Sequence, residues 1–201
     1  MERKVFILGP ETLEAQYAPG TRGAAVVTHP HPLYGGDMDN NVVCTAARAF
    51  QAKGWATLRF NFRGVGESSG AYGEGVAEAQ DVQAALDYVK TRGPGPYLVV
   101  GYSFGAYAAA QALLQGLEAD EAVFIAPPVA FMPMPFLPQA PHLSVVIAGD
   151  QDYICPLAEL EKLLAPVRDR INLAVIPGAD HFFRGHEEKL YRTLQGGLKN
   201  N

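Results

Sequence analysis

The chain has 201 residues, of which 48% are hydrophobic. This is enough for one sizeable core but too little for two comfortable domains, so we expect a single domain over residues 1–201. The net charge is −5 and its acidic and basic residues are dispersed. A nucleic-acid partner needs a clustered basic face and is not expected. A membrane partner is not expected either, because no run approaches the roughly 18–20 apolar residues of a membrane helix.

The N-terminus and the cysteines give information on the cellular compartment in which the protein works. The apolar run that ends before Pro10 is too short for the core of a signal peptide. Cys44 and Cys155 lie far apart and have no metal-binding spacing. We therefore expect a reduced, cytoplasmic enzyme, with export from a longer precursor as the alternative.

Short β-branched or aromatic runs alternate with helical stretches along the chain. The predicted strands are Lys4–Leu8, Thr12–Tyr17, Ala24–Thr28, Ala56–Phe62, Tyr97–Gly101, Ala122–Ala126, Ser144–Ala148 and Asn172–Ile176. The predicted helices are Asp39–Lys53, Gly75–Thr91, Phe104–Gln115, Leu157–Val167 and His181–Leu198. The first two strands could form an antiparallel pair. The later alternation predicts an α/β fold with a mostly parallel sheet covered on both faces.

One serine lies in a sharply defined motif. Ser103 is the centre of Gly-x-Ser-x-Gly, between an apolar strand and an alanine-rich helix. A turn this tight strains the serine backbone and leaves no room for side chains at Gly101 and Gly105. The hydroxyl then stands at the carboxyl end of the sheet, beside a helix N-terminus that favours an anion. The motif predicts a nucleophile, whereas an ordinary serine in a glycine-rich helix cap is the alternative.

This motif resembles the nucleophile elbow of the α/β-hydrolase superfamily. The chain as a whole is similar to the small, lidless bacterial serine hydrolases related to dienelactone hydrolases and short-chain esterases. Four further segments carry the resemblance: His29–Gly36, Asn61–Ser68, Gly149–Asp152 and Gly178–His181. The resemblance implies an α/β-hydrolase fold with a mostly parallel twisted sheet, helices on both faces and no cap domain.

A serine nucleophile needs a base, and the base needs an acid that orients it. His181 follows the last predicted strand and a Pro-Gly turn, in the chain order Ser, acid, His that this fold uses. Asp150 and Asp152 both follow the strand Ser144–Ala148. The resemblance favours Asp152 as the acid, and Asp150 is expected to bind backbone amides of its own loop.

The site also needs amide donors for the developing oxyanion. Phe104, directly after the nucleophile, supplies one. The second is expected from the loop after Ala24–Thr28, where proline has no N–H and the remaining donors are His31, Leu33 and Tyr34. Of these, Leu33 is predicted. A metal bound by His29 and His31 is not expected, because the sequence near this pair offers no set of further ligands to complete a metal site.

We therefore expect an enzyme that hydrolyses small carboxylic esters without a cofactor or metal. The proline-broken segment Pro127–Leu143 is too short for a helical lid, so the site should be an open cleft for short acyl chains. Its apolar residues, such as Phe131, could line an acyl pocket, and a homodimer in which a second copy covers the site stays open. The alternatives with the same residues are a thioesterase, peptidase or acyltransferase, or a binding protein of this fold without activity.

Overall fold

The computed structural model describes residues 1–197. The strands of this part are β1 (Arg3–Leu8), β2 (Thr12–Ala18), β3 (Ala24–Thr28), β4 (Ala56–Phe60), β5 (Tyr97–Tyr102), β6 (Glu121–Ile125), β7 (Leu143–Gly149) and β8 (Asn172–Ile176). The helices are α1 (Asn41–Gln51), α2 (Glu78–Lys90), α3 (Phe104–Leu114), α4 (Leu157–Leu164) and α5 (Glu187–Gly197).

The strands form one eight-stranded sheet in the order β1-β2-β4-β3-β5-β6-β7-β8. The first two pairs, β1 with β2 and β2 with β4, are antiparallel, and all the others are parallel. The predicted class and the predicted antiparallel start are thus confirmed. Parallel strands point their carboxyl ends to one edge, so the loops after β3, β4, β5, β6, β7 and β8 all lie there.

Helices cover both faces of this sheet. Every residue of β3 is buried, although successive side chains of a strand point to opposite faces. Both α1 and α2 contact β3, while α1 also packs against α5 and α2 against α3. The continuous apolar sequence of β3 is therefore a consequence of cover on two sides.

Three helices begin later than predicted, and for α1 the difference is only from Asp39 to Asn41. Helix α2 begins at Glu78 rather than Gly75, because Glu74 and Gly75 have positive φ values of 60° and 82°. The last helix begins at Glu187 rather than at His181. Residues 181–186 form a loop instead, in which Phe183 has a φ of 52°, a conformation that a right-handed helix cannot contain. The predicted end of this helix, Leu198, lies outside the described residues.

The connection between β6 and β7 contains only one short 3₁₀ turn, Leu137–Gln139. The expected absence of a helical lid at this point is confirmed. Within residues 1–197, no helix combines the length and the apolar character that crossing a membrane requires.

Candidate active site

Ser103 stands in the turn between β5 and α3, with φ 53° and ψ −120°. Its backbone N–H donates to the Ile125 carbonyl at 2.9 Å, which ties the turn to the neighbouring strand β6. The flanking glycines are required by close backbone approach. A Cβ on Gly101 would stand 2.5 Å from the Cα of Ala106, and a Cβ on Gly105 would stand 2.8 Å from the His29 carbonyl. The strained serine predicted from the motif is therefore present.

The structure joins Ser103, His181 and Asp152 in one hydrogen-bonded chain. His181 Nε2 lies 2.9 Å from Ser103 Oγ, and His181 Nδ1 lies 2.7 Å from Asp152 Oδ2. All three residues are buried. Because a carboxylate can only accept, Nδ1 carries the imidazole proton, which leaves the Nε2 lone pair to accept from the serine hydroxyl.

The second oxygen of Asp152 is also held. Oδ1 accepts hydrogen bonds from the amides of Ile154 and Cys155, each at 2.8 Å. The carboxylate therefore cannot rotate freely, and Oδ2 stays directed at His181. Cys155 itself is buried, and burial together with the nearby Asp152 charge raises the pKa of its thiol. Its side chain belongs to the hydrophobic core.

Close contact between the loops after β7 and β8 brings the acid and the histidine together. A Cβ on Gly149 would stand 2.1 Å from the Ala179 carbonyl, so only glycine allows this approach. The Gln151 amide donates to the same carbonyl at 3.0 Å. Asp150 Oδ1 accepts from the Gly178 amide at 2.8 Å and from the Gln151 side chain at 3.2 Å, so the backbone amide that Asp150 binds lies in the loop that carries the histidine rather than in its own loop.

The structure gives the Leu33 amide a different role from the predicted one. Leu33 N–H donates to Nδ1 of His31 at 3.2 Å, at the start of the 3₁₀ turn Pro32–Tyr34. The Tyr34 amide donates to the His31 carbonyl at 3.1 Å. Among the hydrogen bonds of residues 1–197, none uses the His31 amide. Of the three donors that the sequence left in this loop, His31 is therefore the one whose N–H has no acceptor in the part of the chain that the structure describes.

His29 ties the ends of two strands together. Its Nε2 accepts from the Phe62 amide at 3.0 Å, and its Nδ1 donates to the Pro30 carbonyl at 2.6 Å. Complete burial lowers the pKa of this imidazole to about 4, so it is neutral near pH 7. The ring thus anchors the β3 loop to the chain that follows β4.

His31 is held in one tautomer as well. Because Nδ1 accepts from Leu33, the ring proton lies on Nε2, which donates to the phenol oxygen of Tyr72 at 3.2 Å. Burial lowers the pKa of His31 and so favours this neutral form. Tyr72 could not be identified from the sequence, because only the three-dimensional path of the loop after β4 brings it to the β3 loop.

Neither of the remaining histidines makes a hydrogen bond to Ser103 in the described part of the chain. His142 precedes β7, at the amino end of that strand, and His186 directly precedes α5. The pair Arg63 and Asp81 forms a buried salt bridge of 2.7 Å, which holds the chain after β4 against α2.

The sequence was also compared with known proteins. A model of the alpha/beta hydrolase family matches residues 31–154. An uncharacterized protein of Rickettsia prowazekii is 35% identical over 97% of this chain and 88% of its own length.

Solved structures give the same picture. An alpha-beta serine hydrolase homologue from Coxiella burnetii is 33% identical, with a TM-score of 0.89 over 98% of this chain and 97% of the other. A lidless α/β serine hydrolase from Xanthomonas campestris is 30% identical, with a TM-score of 0.90 over 98% of this chain and 94% of that protein. The similarity therefore extends over the whole chain and is not limited to the serine motif.

Proposed function

This chain belongs to the alpha/beta hydrolase family, and from that premise we propose that it cleaves small carboxylic esters through an acyl-enzyme on Ser103. One observation carries the proposal: the hydrogen-bonded chain from Ser103 Oγ through His181 to Asp152. A serine hydroxyl becomes a useful nucleophile when a neighbouring imidazole takes its proton, and the carboxylate stabilises the cation that results.

In the first half of the reaction, Ser103 Oγ attacks the acyl carbon and its proton passes to His181 Nε2. The carbonyl oxygen becomes an oxyanion in the tetrahedral intermediate. When the intermediate collapses, the ester C–O bond breaks and the alcohol leaves with the proton from Nε2. The acyl group stays on Ser103 as an ester.

In the second half, water attacks the acyl carbon while His181 Nε2 takes one of its protons. Collapse of this intermediate breaks the bond to Ser103 Oγ, which recovers the proton. A carboxylic acid leaves and the enzyme is restored. Asp152 holds the imidazole in the required tautomer throughout, because its second oxygen is fixed by two amides.

For the oxyanion we propose the amides of Phe104 and His31. Phe104 is the first residue of α3, where a helix leaves its N–H groups without an acceptor inside the helix. His31 replaces Leu33 as the second donor, because the Leu33 amide already has an acceptor in the His31 ring. Their rings are neighbours, with centroids 5.0 Å apart, which supports a common site for the two amides.

The experiment is labelling with a fluorophosphonate, followed by a screen of acyl esters of graded length. We expect covalent labelling at Ser103 and hydrolysis of short esters. A protein that neither takes the label nor turns over an ester would be a binding protein of this fold. Turnover of thioesters or amides in clear preference to esters would replace the proposed substrate class and keep the nucleophile.

A further inference from the structure

Two exposed rings meet beside the nucleophile. Tyr34 lies in the loop after β3 and Phe131 in the loop after β6, and their ring centroids are 5.7 Å apart at an angle of 74°. In the sheet, β5 lies between β3 and β6, and Ser103 follows β5 directly. The contact between the two rings therefore joins the loops on either side of the Ser103 turn.

Three more rings stand behind this pair. The ring of His31 lies 4.7 Å from Tyr34, 6.2 Å from Phe131 and 5.0 Å from Phe104. The ring of Tyr72 lies 5.1 Å from His31. We call these five residues together the aromatic wall. Since Phe104 follows Ser103 directly and His31 carries the free amide, the wall is continuous with the proposed oxyanion site.

The wall is most open to solvent at Tyr34 and Phe131, and His31 and Tyr72 are partly buried. Tyr34 is 74% exposed and Phe131 is 53% exposed, whereas Phe104 is fully buried. The hydrogen bond to Tyr72 fixes the His31 ring behind them. Exposed large apolar side chains that are positioned by a fixed layer beside a reactive group are typical of a ligand subsite.

The charge near the wall disfavours an anionic ligand. The five rings include no carboxylate, and His31 is held neutral by its hydrogen bonds. Close to the wall, the carboxylate of Glu78 is completely buried and accepts from the amides of Gly73 and Gly75. This charge also acts on Tyr72 and His31, so it would oppose an anionic group placed against the rings.

We propose that the aromatic wall is the substrate-selecting subsite of this enzyme and that it takes a neutral aryl group carried by the ester. The inference rests on the proposed function. The binding free energy of an alkyl chain on an apolar surface increases with the area that is buried. An aromatic ligand gains additional binding free energy from edge-to-face contact between rings, which a saturated ligand cannot make. Tyr34 and Phe131 already meet edge to face, and a third ring can continue that arrangement.

The test compares aromatic esters with saturated esters of the same shape. Benzyl acetate against cyclohexylmethyl acetate probes the alcohol side, and methyl phenylacetate against methyl cyclohexylacetate probes the acyl side. In each pair a methylene separates the ring from the reacting atoms, and each kcat/KM is divided by the rate constant for hydroxide-catalysed hydrolysis of the same ester, which removes the remaining difference in intrinsic reactivity. We expect kcat/KM, followed by proton release, to favour the aromatic ester by roughly threefold to tenfold in at least one pair.

Two variants connect that preference to the wall. Tyr34→Leu and Phe131→Leu keep an apolar side chain at exposed positions, and each should bring the ratio of aromatic to saturated ester close to one. The matched control is Tyr153→Leu. Tyr153 is 71% exposed in the loop after β7, and within residues 1–197 its ring contacts no other ring, so the ratio should persist there.

The outcomes separate this inference from the proposed function. Turnover with a ratio near one in both pairs would overturn the aromatic subsite and leave the esterase intact. So would a preference that survives in both leucine variants, since it would then arise elsewhere. Absence of both turnover and fluorophosphonate labelling at Ser103 would reject the esterase, and the subsite with it.

Discussion

Asp150 and Asp152 leave the end of β7 on either side of Gln151 and bind different parts of the loop that carries the histidine. Asp150 Oδ1 accepts from the Gly178 amide at 2.8 Å, whereas Asp152 Oδ2 lies 2.7 Å from His181 Nδ1. The first contact fixes the backbone of the loop at Gly178, and the second determines which ring nitrogen of His181 carries the proton. Two chemically identical side chains are thus expected to respond differently to the same substitution.

Asp152→Asn should abolish most of the activity. Its oxygen would stay on the two amides that now bind Oδ1, so its NH₂ group would face Nδ1 and move the imidazole proton to Nε2. Nε2 could then no longer accept from Ser103, and we expect kcat to fall about 10⁴-fold.

Asp150→Asn is the matched control. An amide oxygen can still accept from Gly178, so kcat should stay within a few-fold of the wild type while stability falls by about 1 kcal/mol. Kinetics and urea unfolding on both variants decide between the two acids. A greater loss of kcat in Asp150→Asn would reverse the assignment.

Ser103→Ala should fold normally and lose turnover by about 10⁴-fold or more. The hydroxyl bonds to His181 and does not cap α3, so its removal leaves the backbone contacts of the turn in place. Circular dichroism checks the fold, and fluorophosphonate labelling checks the nucleophile. Ser69→Ala, at an exposed serine bonded to Glu11, should still take the label at Ser103. Substantial ester hydrolysis by clean Ser103→Ala protein would contradict the assignment.

The burial of His29 predicts a loss of stability on acidification. Its pKa is about 4 in the folded chain against 6.5 in a free imidazole, so between these values the unfolded chain binds a proton that the native state excludes. The free energy of unfolding therefore contains the full contribution of neutral His29 above pH 6.5, and this contribution declines as the pH falls toward 4. At about pH 5 the loss should reach about 2 kcal/mol.

His29→Gln provides the comparison, because glutamine stays uncharged and its oxygen can accept from the Phe62 amide. The variant is expected to be less stable at neutral pH, with a smaller dependence on pH. Urea unfolding of both proteins at about pH 7.5 and pH 5 measures the difference. An equal loss in the two proteins would show that other groups cause the acid sensitivity.

Because the site has no lid, kcat/KM should stop increasing with acyl-chain length after a few carbons. Each methylene contributes about 0.8 kcal/mol only where it is covered, and the segment between β6 and β7 offers a 3₁₀ turn in place of a covering helix. Across p-nitrophenyl esters from about two to sixteen carbons, kcat/KM should level off or fall after a few carbons. A steady rise to the longest chain would indicate a groove, or a second copy of the chain that covers the site.

The sequence alone determined the features that depend on local chemistry. The strands Ala24–Thr28 and Asn172–Ile176 were predicted with their observed bounds, because a short, mostly apolar run that stops just before a proline leaves few other conformations. The strained turn at Ser103 follows from its two glycines and the strand and helix around them. The absence of a lid follows from the prolines after β6.

Only the tertiary structure decided the hydrogen bonds of the loop after β3. The Leu33 amide bonds to a side chain two residues before it, and the sequence cannot show which of three nearby amides stays free. The last helix begins after His181 because the loop that holds this ring includes Phe183 in a left-handed conformation. The aromatic wall combines rings from the loops after β3, β4 and β6 with one from the start of α3. Those segments are distant in sequence and meet because parallel strands deliver their following loops to one edge of the sheet, in an order that the crossovers set.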